Sequence, residues 1–191
     1  MSQSEFREYD FENPSLLYKL EDFLKRWLAP FFMYGPYIRK YNLKGSERVL
    51  DFGCGGGVSS LILLKYLDKG GKLTGVDTSR YWIERARRRL RKYLNANCIH
   101  GDIRELNLPP ESFDVISIIY VLHDIPPDIR KESVQALLKT LNHGGKVYIR
   151  EPIRESHGMP AEEIVQLMFH AGLDEIHRTL RKKEYLGIFA K

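Results

Sequence analysis

The chain has 191 residues, of which 43% are hydrophobic and 29% are charged, and its formal net charge is +5. This length and composition predict one globular domain and exclude a disordered or fibrous protein. The longest apolar run, residues 115–122, is far shorter than the roughly 20 residues that a membrane span needs. The polar N-terminus lacks the apolar segment of a signal peptide, so we expect a cytoplasmic protein.

The first 44 residues form a segment of their own, which we interpret as a helical extension in front of a main domain at residues 45–191. Its sequence LLYKLEDFLKRWLAPFFMYGPYIRKYN predicts an aromatic-rich helix that is interrupted at Pro30 and again near Gly35. Its aromatic side chains form either an apolar lid over a ligand site or the packing of a helix on the sheet edge. These side chains are Phe31, Phe32, Tyr34, Tyr37 and Tyr41.

From Arg48 onward, short β-branched segments alternate with helical ones. The predicted strands are ERVLDFG, KLTGVD, ANCIHGD, FDVISIIYVL and KVYIREP, and the predicted helices are VSSLILLKYLDK, TSRYWIERARRRLRKYLNA, PPDIRKESVQALLKTLN and PAEEIVQLMFHAGL. Gly144 and Gly145 are expected to follow the end of the third of these helices. Such alternation implies right-handed crossovers and a parallel sheet with helices on both faces.

Two further strand-like segments, DEIHRTLR and EYLGIFAK, close the chain. The link between them is too short for a crossover, so these two strands should run antiparallel. The predicted fold class is therefore α/β: a seven-stranded, mostly parallel sheet with helices on both faces, its last strand antiparallel, plus the N-terminal helical extension.

A glycine-rich turn, VLDFGCGGG, joins the first strand to the first helix. Glycine permits a positive φ and the close approach of a ligand, and in open α/β sheets ligands bind at the carboxyl ends of the strands. The turn departs from the dinucleotide fingerprint because Val58 occupies its sixth position. Asp51 would repel a pyrophosphate but would help to hold an ammonium group, directly or through water.

Two more acids, Asp77 and Asp102, follow the second and third strands. Asp77 is placed to accept hydrogen bonds from ribose hydroxyls or to cap the next helix, and Asp102 to accept from an adenine amino group or to end a turn. Thr78 and Ser79 are alternative caps of that helix. S-adenosylmethionine matches a site with both N–H donors and acids, because its amino-acid end is zwitterionic.

Seven basic residues and one acid lie between Arg80 and Lys92. This basic segment is either the solvated face of a helix or a surface that attracts phosphate, from RNA or from an anionic membrane. The two cysteines, Cys54 and Cys98, show neither a disulfide framework nor the spacing of a zinc site, and no metal site is expected. Cys54 is interpreted as a small side chain that the turn tolerates, with a nucleophile as the less favoured alternative.

These segments resemble class I methyltransferases. VLDFGCGGG resembles motif I of that family, LTGVDTS its ribose-binding segment, HGDIRELNLPPESFDVISIIYVLHDI its adenine-binding region and fourth strand, and LLKTLNHGGKVYIREP the helix and strand that follow. The resemblance covers roughly residues 43–191 and implies S-adenosylmethionine as the cofactor. The resemblance also implies that Ile103 packs on the adenine and that Tyr120 lies near the methionine end of the cofactor. For Ile103, ordinary packing in the core is an equal alternative. The expected cofactor site is Asp51, Gly53, Cys54, Gly55, Asp77, Thr78, Asp102, Ile103 and Tyr120.

The acceptor end of the site has no universal catalytic residue, because methyl transfer depends chiefly on positioning and removal of water. His123 and Asp124 follow the fourth strand, and His123 is either a general base or a helix cap. Glu151 is expected to face the same crevice, and we select His123 and Glu151 as the catalytic residues. His157, in the next loop, is a less favoured base.

The segment IIYVLHDI stands where nucleic-acid amino-methylating enzymes carry a DPPY-like or NPPY-like sequence. It resembles the branch that acts on small molecules, including quinones and other lipids, so we expect a small-molecule or lipid-like acceptor and at most peripheral contact with a membrane. The alternatives are an RNA methyltransferase that uses the basic segment, a nicotinamide-dependent oxidoreductase, and a non-catalytic subunit that binds the cofactor.

Overall fold

The computed structural model describes Ser15 and residues 33–191, and it contains one sheet covered by helices. The helices are α1 (Gly35–Ile38), α2 (Val58–Leu64), α3 (Arg80–Leu90), α4 (Pro127–Leu138) and α5 (Ala161–His170). The strands are β1 (Arg48–Phe52), β2 (Lys72–Asp77), β3 (Ala96–His100), β4 (Phe113–Ile119), β5 (Leu141–Pro152), β6 (Asp174–Arg181) and β7 (Glu184–Ala190). Two 3₁₀ turns, Arg39–Tyr41 and Leu122–Asp124, precede β1 and α4.

The seven strands are arranged in the order β3-β2-β1-β4-β5-β7-β6. Strands β1 to β5 pair in parallel, and β7 runs antiparallel to both β5 and β6. The predicted fold class is confirmed, including the antiparallel last strand. Because the chain moves outward from β1 through β2 to β3 and then returns to place β4 on the other side of β1, the switch in direction lies between β1 and β4.

Two apolar clusters cover opposite faces of the sheet. One packs α4 and α5 against it, through residues such as Leu137 and Ile164, and the other packs α2 and α3 through residues such as Leu63 and Ile83. All four of these side chains are fully buried. Burial on both faces explains why the segment of β4 is a nearly continuous apolar run.

Several predicted boundaries are wrong, for local reasons. Helix α2 ends at Leu64 because the next backbone bonds, such as that from the N–H of Tyr66 to the carbonyl of Leu63, close the tighter i→i−3 turns. Helix α3 ends at Leu90 in the same way. Strand β5 begins at Leu141, which pairs with Phe113, so Gly144 and Gly145 lie within the strand at a register shift instead of in a turn before it.

Candidate functional site

A cavity of about 720 Å³ opens at the carboxyl ends of the strands, beside the switch point between β1 and β4. Open α/β sheets bind their ligands at this position. Nine of the residues expected from the sequence line it: Gly53, Cys54, Gly55, Asp77, Thr78, Asp102, Ile103, Tyr120 and His123. Asp124 and His157 line it as well, whereas Asp51 and Glu151 do not.

The glycine turn meets the cavity with its backbone. Gly53 has φ +66°, and a Cβ atom there would lie 2.4 Å from a methyl carbon of Val121. Gly55 has φ +50°, and a Cβ atom there would meet no atom within 4 Å. Only glycine satisfies the first position, and the second leaves backbone open to a ligand.

Asp77 connects the turn to the following helix. Its Oδ2 accepts a hydrogen bond from the backbone N–H of Gly55 at 2.8 Å, and its Oδ1 accepts from the N–H of Ser79 at 2.9 Å. The cap of α3 is Ser79, whose Oγ accepts from the N–H of Trp82 at 3.3 Å. Asp77 therefore lines the cavity while its two oxygens hold the turn and the start of α3 in place.

Asp102 and Ile103 form another part of the wall. Ile103 is 5% exposed, belongs to the core cluster and still lines the cavity, so both of its alternative interpretations fit the structure. The carboxylate of Asp102 is bound by Arg104, whose Nη2 donates to Oδ2 at 2.7 Å. The side-chain hydrogen bonds from Arg104 outweigh the effect of burial and lower the pKa of Asp102 below its ordinary value.

Asp51 lies beneath the turn and not on the cavity surface. Its side chain is 1% exposed, and its Oδ2 accepts hydrogen bonds from Ser59 Oγ at 2.7 Å and from Ser60 Oγ at 2.6 Å. Burial raises the pKa of Asp51 to about 6, against the lowering effect of the two hydroxyls. Ser59 itself lines the cavity, so it connects Asp51 to the wall. The contact between Asp51 and an ammonium group stays a prediction.

Cys54 is a packed side chain of the turn. Its Sγ lies 2.9 Å from the position that a Cβ atom of Gly75 would take, and burial raises the pKa of its thiol well above the ordinary value. A buried thiol of high pKa is a poor nucleophile. The structure thus agrees with Cys54 as a small side chain that the turn tolerates.

Tyr120 directly follows β4 and lines the cavity near His123. It is a non-glycine residue with φ +59°, and its hydroxyl donates a hydrogen bond to Glu184. The guanidinium of Arg150 lies over the Tyr120 ring and donates to Glu184 through Nη2 at 2.8 Å. Arg150 also donates to the carbonyl of Met33, so one buried cation joins the end of β4, β7 and the segment before α1.

Glu151 does not face the crevice, contrary to expectation. Its side chain is fully buried in β5, where Oε1 accepts from the N–H groups of Val121 at 2.7 Å and Leu122 at 2.9 Å. Its Oε2 lies 2.7 Å from Nδ1 of His123. Because it is buried and bound by these groups, the carboxylate of Glu151 is fixed in one orientation, whereas in solvent it would rotate.

His123 lies between two carboxylates, with Nε2 3.4 Å from Oδ1 of Asp124 on the cavity side. Burial by itself would lower the pKa of His123, but the hydrogen bond and charge of Glu151 and the charge of Asp124 outweigh it, and the net pKa is raised. Burial raises the pKa of Asp124, and His123 and His157 act in the opposite direction. The imidazole of His123 therefore lines the cavity with Nδ1 held by Glu151 and with a preference for its protonated form that is stronger than usual.

The N-terminal aromatics divide between the cavity and the core. Tyr34 lines the cavity, beside Met33. Tyr37 and Tyr41 are buried instead, with the Tyr41 ring stacked on that of Tyr148 at 3.9 Å between centroids. For these two the lid hypothesis is wrong, and packing of the helical segment on the sheet is what the structure contains. Phe31 and Phe32 lie outside the described residues.

The basic segment of α3 is partly used inside the fold. Arg87 donates through Nε and Nη2 to the carbonyl of Cys98, at 3.1 and 2.9 Å, and Arg89 donates to the carbonyl of Gly56 in the glycine turn. The two guanidinium groups therefore support β3 and the cavity wall, and this segment is more than a solvated helix face.

Sequence reasoning missed Ser59, Trp82 and Arg154, which also line the cavity. The sequence could have indicated Ser59, because a hydroxyl in the first helical turn after a glycine loop lies near any ligand of that loop. No sequence signal points to Trp82 or to Arg154. Within the described part of the chain, no group of three or more His, Cys, Asp or Glu is arranged to hold a metal ion, and no helix is long and apolar enough to cross a membrane.

The strand order, the antiparallel last strand and the cavity at the switch point define a Rossmann-like α/β protein with a ligand site at its strand ends. A family model described as "Methyltransferase domain" matches residues 49–145, just over half of the chain. The chain belongs to this methyltransferase family.

Two curated relatives carry the names of quinone-modifying enzymes. The chain is 33% identical over 145 residues to a ubiquinone biosynthesis O-methyltransferase of Coxiella burnetii, a match that covers 69% of this chain and 59% of that protein. It is 26% identical over 114 residues to a demethylmenaquinone methyltransferase of Staphylococcus aureus, covering 60% and 46%. The chain spans about half to three fifths of the length of these relatives.

Solved structures share the fold over nearly the whole chain. A SAM-dependent methyltransferase from Aquifex aeolicus has a TM-score of 0.75 at 19% identity, covering 93% of this chain and 97% of the other. A TehB-like SAM-dependent methyltransferase from Corynebacterium glutamicum has a TM-score of 0.73 at 18% identity, covering 92% and 99%. At these identities the likeness concerns the fold.

Proposed function

We propose that the chain is an S-adenosylmethionine-dependent methyltransferase that acts on a small-molecule or lipid-like acceptor. The observation that carries the proposal is the convergence of the open Gly55 backbone with the carboxylates of Asp77 and Asp102 on one cavity. These groups leave β1, β2 and β3 separately along the chain, and the parallel sheet brings them to the same edge.

The cofactor would lie along this wall, with each part facing a group of matching chemistry. Asp77 would accept from the ribose hydroxyls, Asp102 from the adenine amino group, and Ile103 would pack on the ring. Gly53, Cys54, Gly55, Thr78 and Tyr120 would surround the amino-acid end, with Asp51 acting through Ser59. The fit is supported by Gly55, because the space that a Cβ atom would occupy there is open.

His123 is the proposed general base and Glu151 its positioning residue. When bound, the cofactor supplies a methyl group on a positively charged sulfur. Nε2 of His123 would take the proton of the acceptor as the bond to that methyl forms, while Glu151 holds Nδ1 and fixes the ring. Asp124 and His157 line the same end and would contact the acceptor.

A small, partly apolar acceptor is supported by the wall on that side. Met33, Ile125 and Ile129 line the cavity together with Tyr34. The names of the two relatives refer to quinone compounds, which agrees with an apolar ring as acceptor. We propose that residues 1–44 act as an extension of the site, since Met33 and Tyr34 already form part of its wall. The cytoplasmic location stays a prediction.

The competing functions have weaker support. An RNA methyltransferase would use the basic segment as a track for phosphates, but Arg87 and Arg89 donate to backbone carbonyls. A nicotinamide-dependent oxidoreductase would bind a pyrophosphate, which the buried Asp51 below the turn and Val58 disfavour. A non-catalytic cofactor-binding subunit differs only in turnover.

Calorimetric titration with S-adenosylhomocysteine and, separately, with NADH tests the proposal directly. We expect binding of the first and none of the second. In a separate assay with S-adenosylmethionine as the donor, we expect methyl transfer to a quinol-type acceptor, with S-adenosylhomocysteine as the other product. Transfer to RNA with a steep dependence on salt would favour the RNA alternative instead. Binding of NADH alone would contradict the proposal.

A further inference from the structure

We propose that Arg104 is a positioning residue that orients the carboxylate of Asp102 to select an adenine ring by its amino group. The inference rests on the proposed function, because it assumes an adenosyl ligand at this wall. Arg104 is itself absent from the cavity lining, so it would act on the ligand through Asp102 and not by contact.

Four hydrogen bonds from one residue converge on the Asp102 carboxylate. The backbone N–H of Arg104 donates to Oδ1 at 2.9 Å, and Nε donates to Oδ1 and Oδ2 at 3.1 Å each. Nη2 donates to Oδ2 at 2.7 Å. A planar guanidinium bound along one edge of a carboxylate fixes the plane of that carboxylate as well as its position.

Orientation of the carboxylate by Arg104 matters because burial does not hold Asp102 in place. Its side chain is 27% exposed, and the structure places it in the turn after β3. A carboxylate in such a setting rotates unless a partner restrains it. Arg104 also forms an exposed ion pair with Glu132 on α4, whose Oε2 lies 3.5 Å from Nη1. The pair therefore joins the turn after β3 to α4, a helix that also contributes to the cavity lining.

The restraint leaves Asp102 able to bind a ligand. The carboxylate has about four lone-pair sites, and Arg104 occupies three of them with the hydrogens of its backbone N–H, Nε and Nη2, the Nε hydrogen being shared between the two oxygens. The remaining site can accept an N–H of the ligand at the cavity wall. Arg104 also holds the pKa of Asp102 below its ordinary value, so the carboxylate stays ionised and acts only as an acceptor. An amino group is therefore favoured over a carbonyl at the same ring position.

Comparison of S-adenosylhomocysteine with S-inosylhomocysteine separates recognition of the amino group from binding in general, because a carbonyl replaces that group in the inosyl compound. For the wild-type chain we expect about tenfold or greater preference for the adenosyl compound, the scale for a hydrogen bond to a charged group. In R104Q the preference should fall to about threefold or less, and R104K, which keeps the charge but not the planar fork, should lie between. D102N should lose or reverse the preference.

Arg178 provides a matched control, because its Nε donates to both oxygens of Glu175 at 2.9 Å on the edge strand β6, away from the cavity. R178Q should keep the wild-type preference. Three results would each overturn the inference. They are an unchanged preference in R104Q, tighter binding of the adenosyl compound by that variant, and no preference in the wild type. Failure of the folded wild-type chain to bind either compound would instead overturn the proposed function.

Discussion

Nδ1 of His123 and Oε2 of Glu151 lie 2.7 Å apart, although the two residues are 28 positions apart in the chain. The other oxygen of Glu151 accepts from two backbone N–H groups of the loop that carries His123. One buried carboxylate thus fixes both the backbone and the imidazole at the His123 end of the cavity. The same loop begins at Tyr120, whose backbone is strained, with a φ of +59°.

The first prediction concerns this pair. H123Q should lower kcat by about 10² to 10⁴, the range for removal of a general base, with a small change in KM. The pKa of His123 is raised above its ordinary value of 6.5, so the neutral, proton-accepting form dominates only at higher pH. The kcat of the wild type should therefore rise with pH through a value above 6.5.

E151Q tests the positioning role separately, because removing the negative charge lowers the pKa of His123 again. The inflection of the pH profile should move to lower pH, with a smaller loss of kcat than in H123Q. H143Q, at a side chain that is 79% exposed, is the matched control and should match the wild type. A pH profile that does not move in E151Q would contradict the role of Glu151.

The second prediction concerns Asp77. D77A should weaken binding of S-adenosylhomocysteine by about 1–3 kcal/mol, the scale for loss of hydrogen bonds to a charged group. The variant also loses the acceptor of the Gly55 N–H, so part of the effect would arise from a looser turn. Titration calorimetry well below the unfolding temperature gives the affinity, with D174A at the exposed start of β6 as control. An unchanged affinity would remove Asp77 from the site.

The third prediction separates two costs of adding a side chain at a glycine with positive φ, namely a steric clash and backbone strain. Gly53 and Gly144 both have positive φ, +66° and +74°, but only Gly53 has a neighbour in the way, Val121. G144A should lower the free energy of unfolding by about 1–2 kcal/mol, the scale for an alanine in the left-handed region. G53A should lower it by a further 1–3 kcal/mol or so through overpacking, and it should also impair cofactor binding. Equal losses in urea denaturation would show that the approach of Val121 is unimportant.

The fourth prediction follows from the pKa of Asp51, which burial raises from 3.8 to about 6. The folded state then binds the proton more tightly than the unfolded state, so the contribution of Asp51 to stability is largest at low pH. It is lost as pH rises from about 4 to about 6, and a shift of this size corresponds to roughly 3 kcal/mol.

D51N provides the comparison for this pH dependence, because an asparagine cannot ionise and its amide can still bond to Ser59 and Ser60. The free energy of unfolding of the wild type minus that of D51N should fall between pH 4 and pH 7. A difference that stays constant over this range, measured by urea denaturation, would show that Asp51 titrates normally.

Much of the site could be predicted from the sequence because it depends on local order. Asp77 and Asp102 lie at strand ends, and parallel pairing necessarily brings strand ends to one edge of the sheet. Ser79, one of two predicted caps, was settled only by geometry. Phe113 pairs with Leu141, and this register decided where β5 begins against the apparent glycine turn.

The sequence by itself determined the fold class, the family and the edge of the sheet at which a ligand binds. Hydrophobic periodicity and turn residues predict the helices and strands from a few neighbouring positions. The right-handed crossovers then restrict how the strands can be arranged in the sheet. Only the tertiary structure decided that Glu151 is buried behind His123, that Asp51 lies under the turn, and that Tyr41 stacks on Tyr148 in the core. The direction and burial of a side chain depend on packing partners tens of residues away, and no local pattern records those partners.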